Sequence, residues 1–436
     1  MLTFERLESS VRWYARSFPT VFAAASGSTL RTEDGREVID FLSGAGALNY
    51  GHNHPSLVRS AIRYLLEGGV VHGLDLATTA RRRFLETFDE VILEPRGLTY
   101  RMQFTGPTGT NAVEAAIKLA WKFTGREGIV RFDGSYHGMT LGSLALSEAG
   151  RSTRAGLRAS FPVHTAGFDD GCDPDLVDLA ELAAWMDSVP RESDLPAAVI
   201  VETVQADGGV RPARLRWLKA LAETVQSRGV LLIVDDIQAG CGRTGPFFSF
   251  EPARIRPDIV CLSKSLSGMG LPLSMNLIAR RVDQWSPGEH TGTFRGNNLA
   301  LVTATGALEL WRTPGLESLV AEHEGRIHRW FADLRTQLAD PSQARLRGRG
   351  LLQGIVFPSA EVARRVSREA FERGVMAETC GTRNDVLKLL PPLVISPQDL
   401  LRGLERIGDA IRAVLGTVDP ETAAELLVRP RTRQSA

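Results

Sequence analysis

The middle of the chain alternates short, uninterrupted apolar runs with helical patterns. The apolar runs fall at residues 128–132, 197–201, 231–234 and 258–262. A run that is apolar at every position, rather than at alternate positions, is typical of a strand buried on both faces of a parallel sheet. The helical segments between the runs would supply the layers that cover such a sheet. The pattern therefore predicts an α/β fold with a mostly parallel central sheet.

Local signals predict further elements before the first of these runs. Two short extended runs flank an Asp-Gly pair at residues 34–35, which indicates a hairpin. A helix is expected to begin at Pro55 and to end before the glycine pair at 68–69. One face of this helix carries an apolar stripe: Leu57, Val58, Ala61, Ile62, Leu65 and Leu66.

The pattern changes towards the C-terminus. Beyond residue 312 come Arg-rich helical patterns, strands predicted at 351–356 and 386–390, and a closing helix that begins after Ser396. Residues 150–196 are less regular, and we interpret them as surface loops with one helix near 176–186. The tail from Asp419 is only weakly patterned.

These patterns divide the chain into three segments. Residues 1–55 are the N-terminal segment and hairpin, which we assign to a smaller domain. Residues 56–312 form a large domain around the parallel sheet. Residues 313–436 form the C-terminal small α/β domain.

Composition narrows the possible partners and the compartment. The 436 residues carry 51 basic and 51 acidic side chains, so no net charge favours nucleic acid or an anionic membrane. The N-terminus lacks the apolar core of a signal peptide, and no apolar segment is long enough to cross a bilayer. The four cysteines, at 172, 241, 261 and 380, and the histidines lack metal-ligand spacing, so we expect no metal and reduced thiols. A soluble, cytoplasmic protein is expected.

Two of the apolar runs end in charged residues. Asp235 follows the run at 231–234, and Lys264 follows the run at 258–262. Ligands of open α/β sheets bind outside the carboxyl ends of the strands, so both side chains are expected to face one crevice. A carboxylate and an amine in one crevice suit pyridoxal phosphate, which needs a Schiff-base lysine and a partner for its pyridine nitrogen. Taken singly, each residue is more often a solvated charged residue that ends a strand.

A third element strengthens this interpretation. The Gly/Thr-rich turn at residues 105–111 opens a helical pattern, and Gly109 and Thr110 lie at its start. Backbone N–H groups at a helix N-terminus bind anions, so this turn would hold the phosphate.

In their order and spacing, several motifs resemble the class III aminotransferases: GTNAVEA at 109–115, GSYHG at 134–138, DDIQ at 235–238, CGRTG at 241–245 and SK at 263–264. More narrowly, FERLES at 4–9, NYGHN at 49–53, GPTGTN at 106–111 and FRGNN at 294–298 are similar to diaminobutyrate:2-oxoglutarate aminotransferases. Those enzymes make L-2,4-diaminobutyrate from aspartate semialdehyde, in ectoine biosynthesis and for specialised peptides. The resemblance implies a fold type I transferase whose large domain, 56–312, binds pyridoxal 5′-phosphate.

The resemblance also implies roles for individual residues. Lys264 would be the Schiff-base lysine, Asp235 would pair with the pyridine nitrogen, and Gln238 would hydrogen-bond the ring hydroxyl. Gly109 and Thr110 would bind the phosphate through their N–H groups.

Two further assignments concern Tyr136 and Thr293. Tyr136 would stack on the cofactor ring, although a core aromatic residue is the alternative. Its neighbour His137 is interpreted as a structural hydrogen-bonding residue. Thr293 would reach the phosphate in the other subunit, which implies a homodimer with shared active sites, or a larger assembly of such dimers.

The substrate side of the site departs from the usual pattern of the class. The sequence VQADGG at 204–209 places Asp207 where related ω-aminotransferases carry a longer acid that faces a carboxylate-binding arginine. Where that arginine is usual, before Pro-Pro-Leu, this chain has Lys388, so the two changes could be coupled. Lys388 and Arg295 are candidates to bind a substrate carboxylate; for Lys388 a solvated lysine is the alternative.

The first functional hypothesis is transfer of the terminal amine between L-glutamate and L-aspartate 4-semialdehyde. A second hypothesis keeps the class but changes the amine or aldehyde, for example to ornithine, 4-aminobutyrate or β-alanine. A racemase or aminomutase that uses the same cofactor, and a non-catalytic relative, complete the alternatives. The partners expected are thus small amino acids and keto acids or aldehydes.

Overall fold

The computed structural model describes residues 2–148, 160–169, 171 and 177–417. Its strands are β1 (Phe22–Ser26), β2 (Thr29–Thr32), β3 (Glu37–Asp40), β4 (Tyr100–Gly106), β5 (Ile129–Phe132), β6 (Val163–Ala166), β7 (Ala198–Val201), β8 (Val204–Gln205), β9 (Arg211–Pro212), β10 (Leu231–Asp235), β11 (Ile259–Leu262), β12 (Ser274–Ala279), β13 (Arg345–Arg349), β14 (Leu352–Val356), β15 (Val375–Met376), β16 (Thr379–Cys380) and β17 (Val386–Leu389).

Its α-helices are α1 (Leu2–Leu7), α2 (Tyr14–Ser17), α3 (Ser43–Gly46), α4 (Pro55–Leu66), α5 (Thr79–Phe88), α6 (Gly109–Thr124), α7 (Leu141–Ala145), α8 (Val177–Ser188), α9 (Leu215–Gln226), α10 (Asn298–Glu309), α11 (Leu316–Arg335), α12 (Ala360–Glu372) and α13 (Pro397–Leu415). Three features lie outside the described residues: Cys172, residue 176 at which the predicted helix begins, and the tail from Asp419. Within the described residues no helix is long and apolar enough to span a membrane.

The central sheet has the strand order β4-β12-β11-β10-β7-β5-β6. Strands β11, β10, β7, β5 and β6 pair in parallel, whereas β12 runs antiparallel to both β11 and β4. The four predicted apolar runs form β5, β7, β10 and β11, so the mostly parallel sheet is confirmed.

The interior strands β5, β7, β10 and β11 are buried on both faces. In β10, Leu232 and Val234 pack in one apolar cluster with Trp217 of α9. The alternating residues Leu231 and Ile233 pack in a second cluster that contains the apolar face of α6. Because successive strand side chains point to opposite faces, an unbroken apolar run is needed to fill both layers.

The structure differs from the sequence prediction at β6, which lies in the segment predicted as surface loop and helix. This strand, at the end of the sheet, includes His164 and Thr165 and is only partly buried along most of its length. An edge strand has one unpaired side and can carry polar residues, so it lacks the apolar run by which the interior strands were found.

The smaller sheets connect the two ends of the chain. The predicted hairpin is confirmed, with β2 antiparallel to β3, and β3 pairs in parallel with the C-terminal strand β15. A second four-stranded sheet has the order β13-β14-β17-β16 and packs in one apolar cluster with α13. The hydroxyl of Ser396 accepts a hydrogen bond from the N–H of Asp399 at 3.0 Å, which confirms the predicted start of that helix. The three-segment division at residues 55 and 312 stays a prediction.

Helix α4 begins at Pro55 as predicted, but its apolar stripe is only half buried. Leu57 and Ala61 are buried against the rest of the chain. Ile62, Leu65 and Leu66, on the same stripe, are 52%, 50% and 84% exposed. The single chain therefore leaves an apolar helix face open to solvent.

Candidate functional site

A cavity of about 310 Å³ lies at the carboxyl ends of β10 and β11, beside the start of α6. Seven residues that the sequence had predicted for the site line it: Gly109, Thr110, Tyr136, Asp207, Asp235, Gln238 and Lys264. The parallel pairing of β10 with β11 brings Asp235 and Lys264 together. This position agrees with the general place of ligand sites in open α/β sheets.

Lys264 begins a 3₁₀ turn, Lys264–Ser267, directly after β11. Its φ of 47° lies in the left-handed region. Residues other than glycine are uncommon there, and those that occur are often at functional sites. Its Nζ donates a hydrogen bond to the carbonyl of Ala45 at 3.0 Å. Burial lowers the pKa of the Lys264 amine, although the nearby charge of Asp207 opposes that shift. A lowered pKa favours the neutral, nucleophilic amine.

Asp235 ends β10 and is almost completely buried. Its Oδ2 lies 2.7 Å from Nδ1 of His137, and its Oδ1 accepts a hydrogen bond from the N–H of Ile237 at 3.2 Å. His137, which the sequence predicts to be a structural hydrogen-bonding residue, thus contacts this carboxylate and also lines the cavity. A buried carboxylate at this position can hold a proton of a ligand that enters the cavity.

The start of α6 presents backbone N–H groups to the cavity. Thr108 caps the helix in a capping box with Asn111, so Gly109 and Thr110 are its first helical residues. The first N–H groups of a helix have no intrahelical acceptor. The Thr110 hydroxyl is bonded to Thr140 and Ser143, at 2.7 and 2.8 Å between oxygens, and its N–H lies in the first turn of the helix beside the cavity.

Tyr136 lines the cavity and does not pack in the apolar core, so the core alternative is not what the structure shows. Its N–H donates to Oε1 of Glu202 at 2.9 Å. Burial, with a further contribution from Asp207, raises the pKa of the Tyr136 phenol to about 12, so it stays neutral.

Sequence reasoning missed Glu202. This residue directly follows β7, as Asp235 ends β10, and the acid after an apolar run was the signal that could have found it. Burial and the neighbouring charge of Asp235 raise the pKa of Glu202 well above its usual value. The cavity therefore favours the protonated form of Glu202 more than water does.

Lys388 is fully buried, so the solvated alternative is wrong. Its Nζ lies 2.5 Å from Oδ1 of Asp207 and 2.9 Å from Oε1 of Glu378, and it donates to Oε1 of Gln238 at 3.3 Å. Burial by itself would lower the pKa of Lys388, but the two carboxylates outweigh it and hold the pKa well above its usual value. Asp207 and Lys388, the two departures from the usual class pattern, thus form a direct ion pair.

Glu378 is the other residue that sequence reasoning missed. It precedes β16, and the N–H of Lys388 donates to its carbonyl at 2.8 Å. The signal was an acid and a base placed opposite each other across a short hairpin, in which Thr379 pairs with Leu387.

The structure does not bring Thr293 and Arg295 to this cavity. Thr293 is exposed, and Arg295 lines a separate cavity with Arg81 and His290. The Arg295 guanidinium donates to the carbonyl of Thr105. The predicted roles of Thr293 and Arg295 therefore stay predictions.

The residues present fit pyridoxal 5′-phosphate. Asp235 suits the pyridine nitrogen, Lys264 suits the aldehyde carbon, and the N–H groups of Gly109 and Thr110 suit the phosphate. Gly109 also leaves necessary space, since a Cβ at this position would lie 2.9 Å from Cδ1 of Ile237 in the cavity wall.

Comparison with known proteins agrees with this geometry. The family described as "Aminotransferase class-III" matches residues 12–411. Proteins named "Diaminobutyrate--2-oxoglutarate transaminase" from Bordetella parapertussis and Nocardia farcinica are 50% and 48% identical, over 97% and 94% of each chain. The crystal structure of ornithine aminotransferase from Toxoplasma gondii superimposes with a TM-score of 0.81 at 25% identity, over 95% of this chain and 94% of that one. The predicted fold type I architecture is thereby confirmed, and the chain belongs to the class III aminotransferases.

Proposed function

We propose that this enzyme is a pyridoxal 5′-phosphate-dependent aminotransferase that interconverts L-aspartate 4-semialdehyde and L-glutamate with L-2,4-diaminobutyrate and 2-oxoglutarate. The observation that carries the proposal is the 50% identity, over 97% of both chains, to a protein named "Diaminobutyrate--2-oxoglutarate transaminase". The cavity supports it with an amine, a carboxylate and a helix N-terminus placed together.

When bound, the cofactor supplies an electron sink for a carbon that loses a proton. Lys264 would hold the cofactor, and its amine would then move the proton at the substrate carbon as general base and acid. Its lowered pKa supports this role because the proton-accepting form is the neutral amine. Asp235, held by His137, keeps a proton on the pyridine nitrogen.

The remaining cofactor contacts orient the ring. Gly109 and Thr110 bind the phosphate through their N–H groups, Tyr136 covers one face of the ring, and Gln238 hydrogen-bonds the ring hydroxyl. All four residues line the cavity, which supports the assignment. A contact of Lys388 with a substrate carboxylate stays a prediction, because here its charge is paired with Asp207 and Glu378.

The working unit that we propose is a homodimer with shared active sites. The exposed apolar residues of α4 support it, as does the exposed position of Thr293, whose proposed contact is the phosphate in the other subunit. Arg295 stays a candidate for a substrate carboxylate, approached from that second subunit. We also propose a cytoplasmic role in ectoine biosynthesis or in the supply of specialised peptides, supported by the motifs shared with diaminobutyrate aminotransferases.

The test is a single half-reaction of the purified holoenzyme. L-2,4-diaminobutyrate is added without a keto acid, the visible absorbance of the bound cofactor is followed, and aspartate semialdehyde is measured. We expect about one equivalent of semialdehyde per subunit with loss of the absorbance band, and no product from Lys264→Ala. If 4-aminobutyrate, ornithine or β-alanine reacts and diaminobutyrate does not, the second substrate hypothesis replaces the first. Racemised diaminobutyrate without semialdehyde would instead indicate a racemase.

A further inference from the structure

We propose that Asp207, set in an ion-pair cluster with Lys388 and Glu378, binds the α-ammonium group of a diamino acid substrate. The inference rests on the proposed function and names the part of the substrate that this wall of the cavity recognises. It also assigns the cluster a role other than carboxylate binding.

The charge of the cluster is the first argument. Asp207 and Glu378 contribute two carboxylates, and Lys388 contributes one ammonium group, so the cluster carries one net negative charge. The Tyr14 hydroxyl, which approaches Glu378 from the N-terminal segment, adds a neutral donor and no positive charge. A surplus carboxylate is most stable beside a further cation; in the free chain Lys264 is one such cation, and a substrate ammonium group would be another.

The second argument is which group reaches the cavity. Lys388 is 0% exposed and the side chain of Glu378 is 9% exposed, whereas the side chain of Asp207 is 29% exposed and lines the cavity. Lys388 takes Oδ1 of Asp207, and no described residue hydrogen-bonds Oδ2. A ligand that enters the cavity therefore contacts a carboxylate oxygen of Asp207, and the buried Lys388 lies behind it.

The ionisation of Asp207 agrees with this arrangement. Burial favours its neutral form, but the charges of Lys388 and Lys264 outweigh burial and hold the pKa of Asp207 below its usual value. Asp207 is therefore an anion at neutral pH.

The third argument is the relation to the reacting amine. Asp207 and Lys264 line the same cavity, and each affects the charge of the other. A diamino acid that presents its terminal amine near Lys264 has its α-carbon, with an ammonium group, a few atoms away. 4-Aminobutyrate and β-alanine carry no second ammonium group, so the cluster would favour diamino acids over simple ω-amino acids.

The experiment compares matched amines that differ by the α-ammonium group: L-2,4-diaminobutyrate with 4-aminobutyrate, and L-ornithine with 5-aminovalerate. The KM of each as amino donor to 2-oxoglutarate, or its inhibition constant if it is not turned over, is measured for holoenzyme of the wild type, Asp207→Asn and Asp207→Glu. Asn keeps the shape and removes the charge, whereas Glu keeps the charge.

We expect Asp207→Asn to raise the constants of the diamino acids about 10- to 100-fold, as for loss of a charge-assisted hydrogen bond. The constants of 4-aminobutyrate and 5-aminovalerate should change little, and the change in kcat should be smaller than the change in KM. Asp207→Glu should keep most of the preference.

An equal change for both members of each pair, or none for the diamino acids, overturns the α-ammonium proposal. Failure of the proposed function is a different result, because then the wild type does not turn over diaminobutyrate. In that case the ornithine pair and the inhibition constants still decide the role of Asp207.

Discussion

Two consecutive aspartates close β10, and their surroundings give them different chemistry. Asp235 faces the cavity and the ring of His137. Asp236 points away from the cavity and accepts hydrogen bonds from the N–H and hydroxyl of Ser249. Burial raises the pKa of Asp236 to about 7, although the bonds from Ser249 and the charge of Arg349 oppose the shift. Position along a strand end thus does not by itself decide which acid is functional.

Asp236 should make stability depend on pH. Its pKa is about 7 in the folded chain against a usual value of 3.8, so the folded state binds its proton more tightly than the unfolded state. The free energy of unfolding should therefore fall as pH rises through this interval, by roughly 4 kcal/mol when ionisation is complete.

Asp236→Asn removes this ionisation, so the unfolding temperature of the variant relative to wild type should rise from pH 5 to about pH 7 and stay level from there to pH 9. The isosteric exchange also alters the bonds to Ser249, but that offset does not depend on pH. Differential scanning calorimetry over this range makes the comparison, and parallel curves for the two proteins would contradict the assignment.

At the scale of the element, the start of α6 shows how a short turn makes a binding site. Helix α6 packs its apolar face against the central sheet, and its first turn lines the cavity. Gly109 brings that backbone within reach of Ile237, so the absence of a side chain is itself part of the site.

Gly109→Ala should weaken cofactor binding about tenfold, or ~1.4 kcal/mol, because its Cβ would lie 2.9 Å from Ile237 Cδ1 and displace the helix start or the cavity wall. The matched control is Gly128→Ala, just before β5, where the new Cβ would lie 3.4 Å from Pro196. Equilibrium dialysis of the cofactor measures both variants. Equal cofactor affinity of the Gly109 variant and the control would show that the start of α6 does not contact the phosphate.

At the scale of the whole molecule, the exposed face of α4 is the surface that we propose to be covered in a dimer. A stripe of large apolar side chains on one helix face is unusual on the surface of a monomer. The exposed Phe294, next to Thr293, belongs to the segment that we propose to reach the second subunit.

Leu65→Lys should weaken the proposed dimer at least 100-fold, because a lysine charge would be buried at an apolar contact. Leu401→Lys is the matched control, since Leu401 is 43% exposed on α13 and Leu65 is 50% exposed on α4. Sedimentation velocity gives the assembly state, and activity should fall with it if the sites are shared. A Leu65 variant that sediments like the control would place the interface elsewhere.

The sequence alone determined the features that arise from local chemistry. The unbroken apolar runs identified β5, β7, β10 and β11 because interior strands are buried on both faces. Pro55 and Ser396 marked helix starts because their effects act within one turn. Local signals also identified most of the cavity wall, because its residues directly follow those strands or begin α6.

The tertiary structure decided what depends on partners far away in the chain. Strand β12 escaped prediction because it carries the buried polar residues Ser274 and Asn276, which donate hydrogen bonds to the distant carbonyls of Gly106 and Ala112 that no local pattern reveals. The pairing of Asp207 with Lys388 joins residues 181 positions apart, and only the packed fold shows that Lys388 is buried with its charge already matched. Charge and burial at a site are properties of everything packed around it, whereas helix starts and strand runs are properties of a few neighbouring residues.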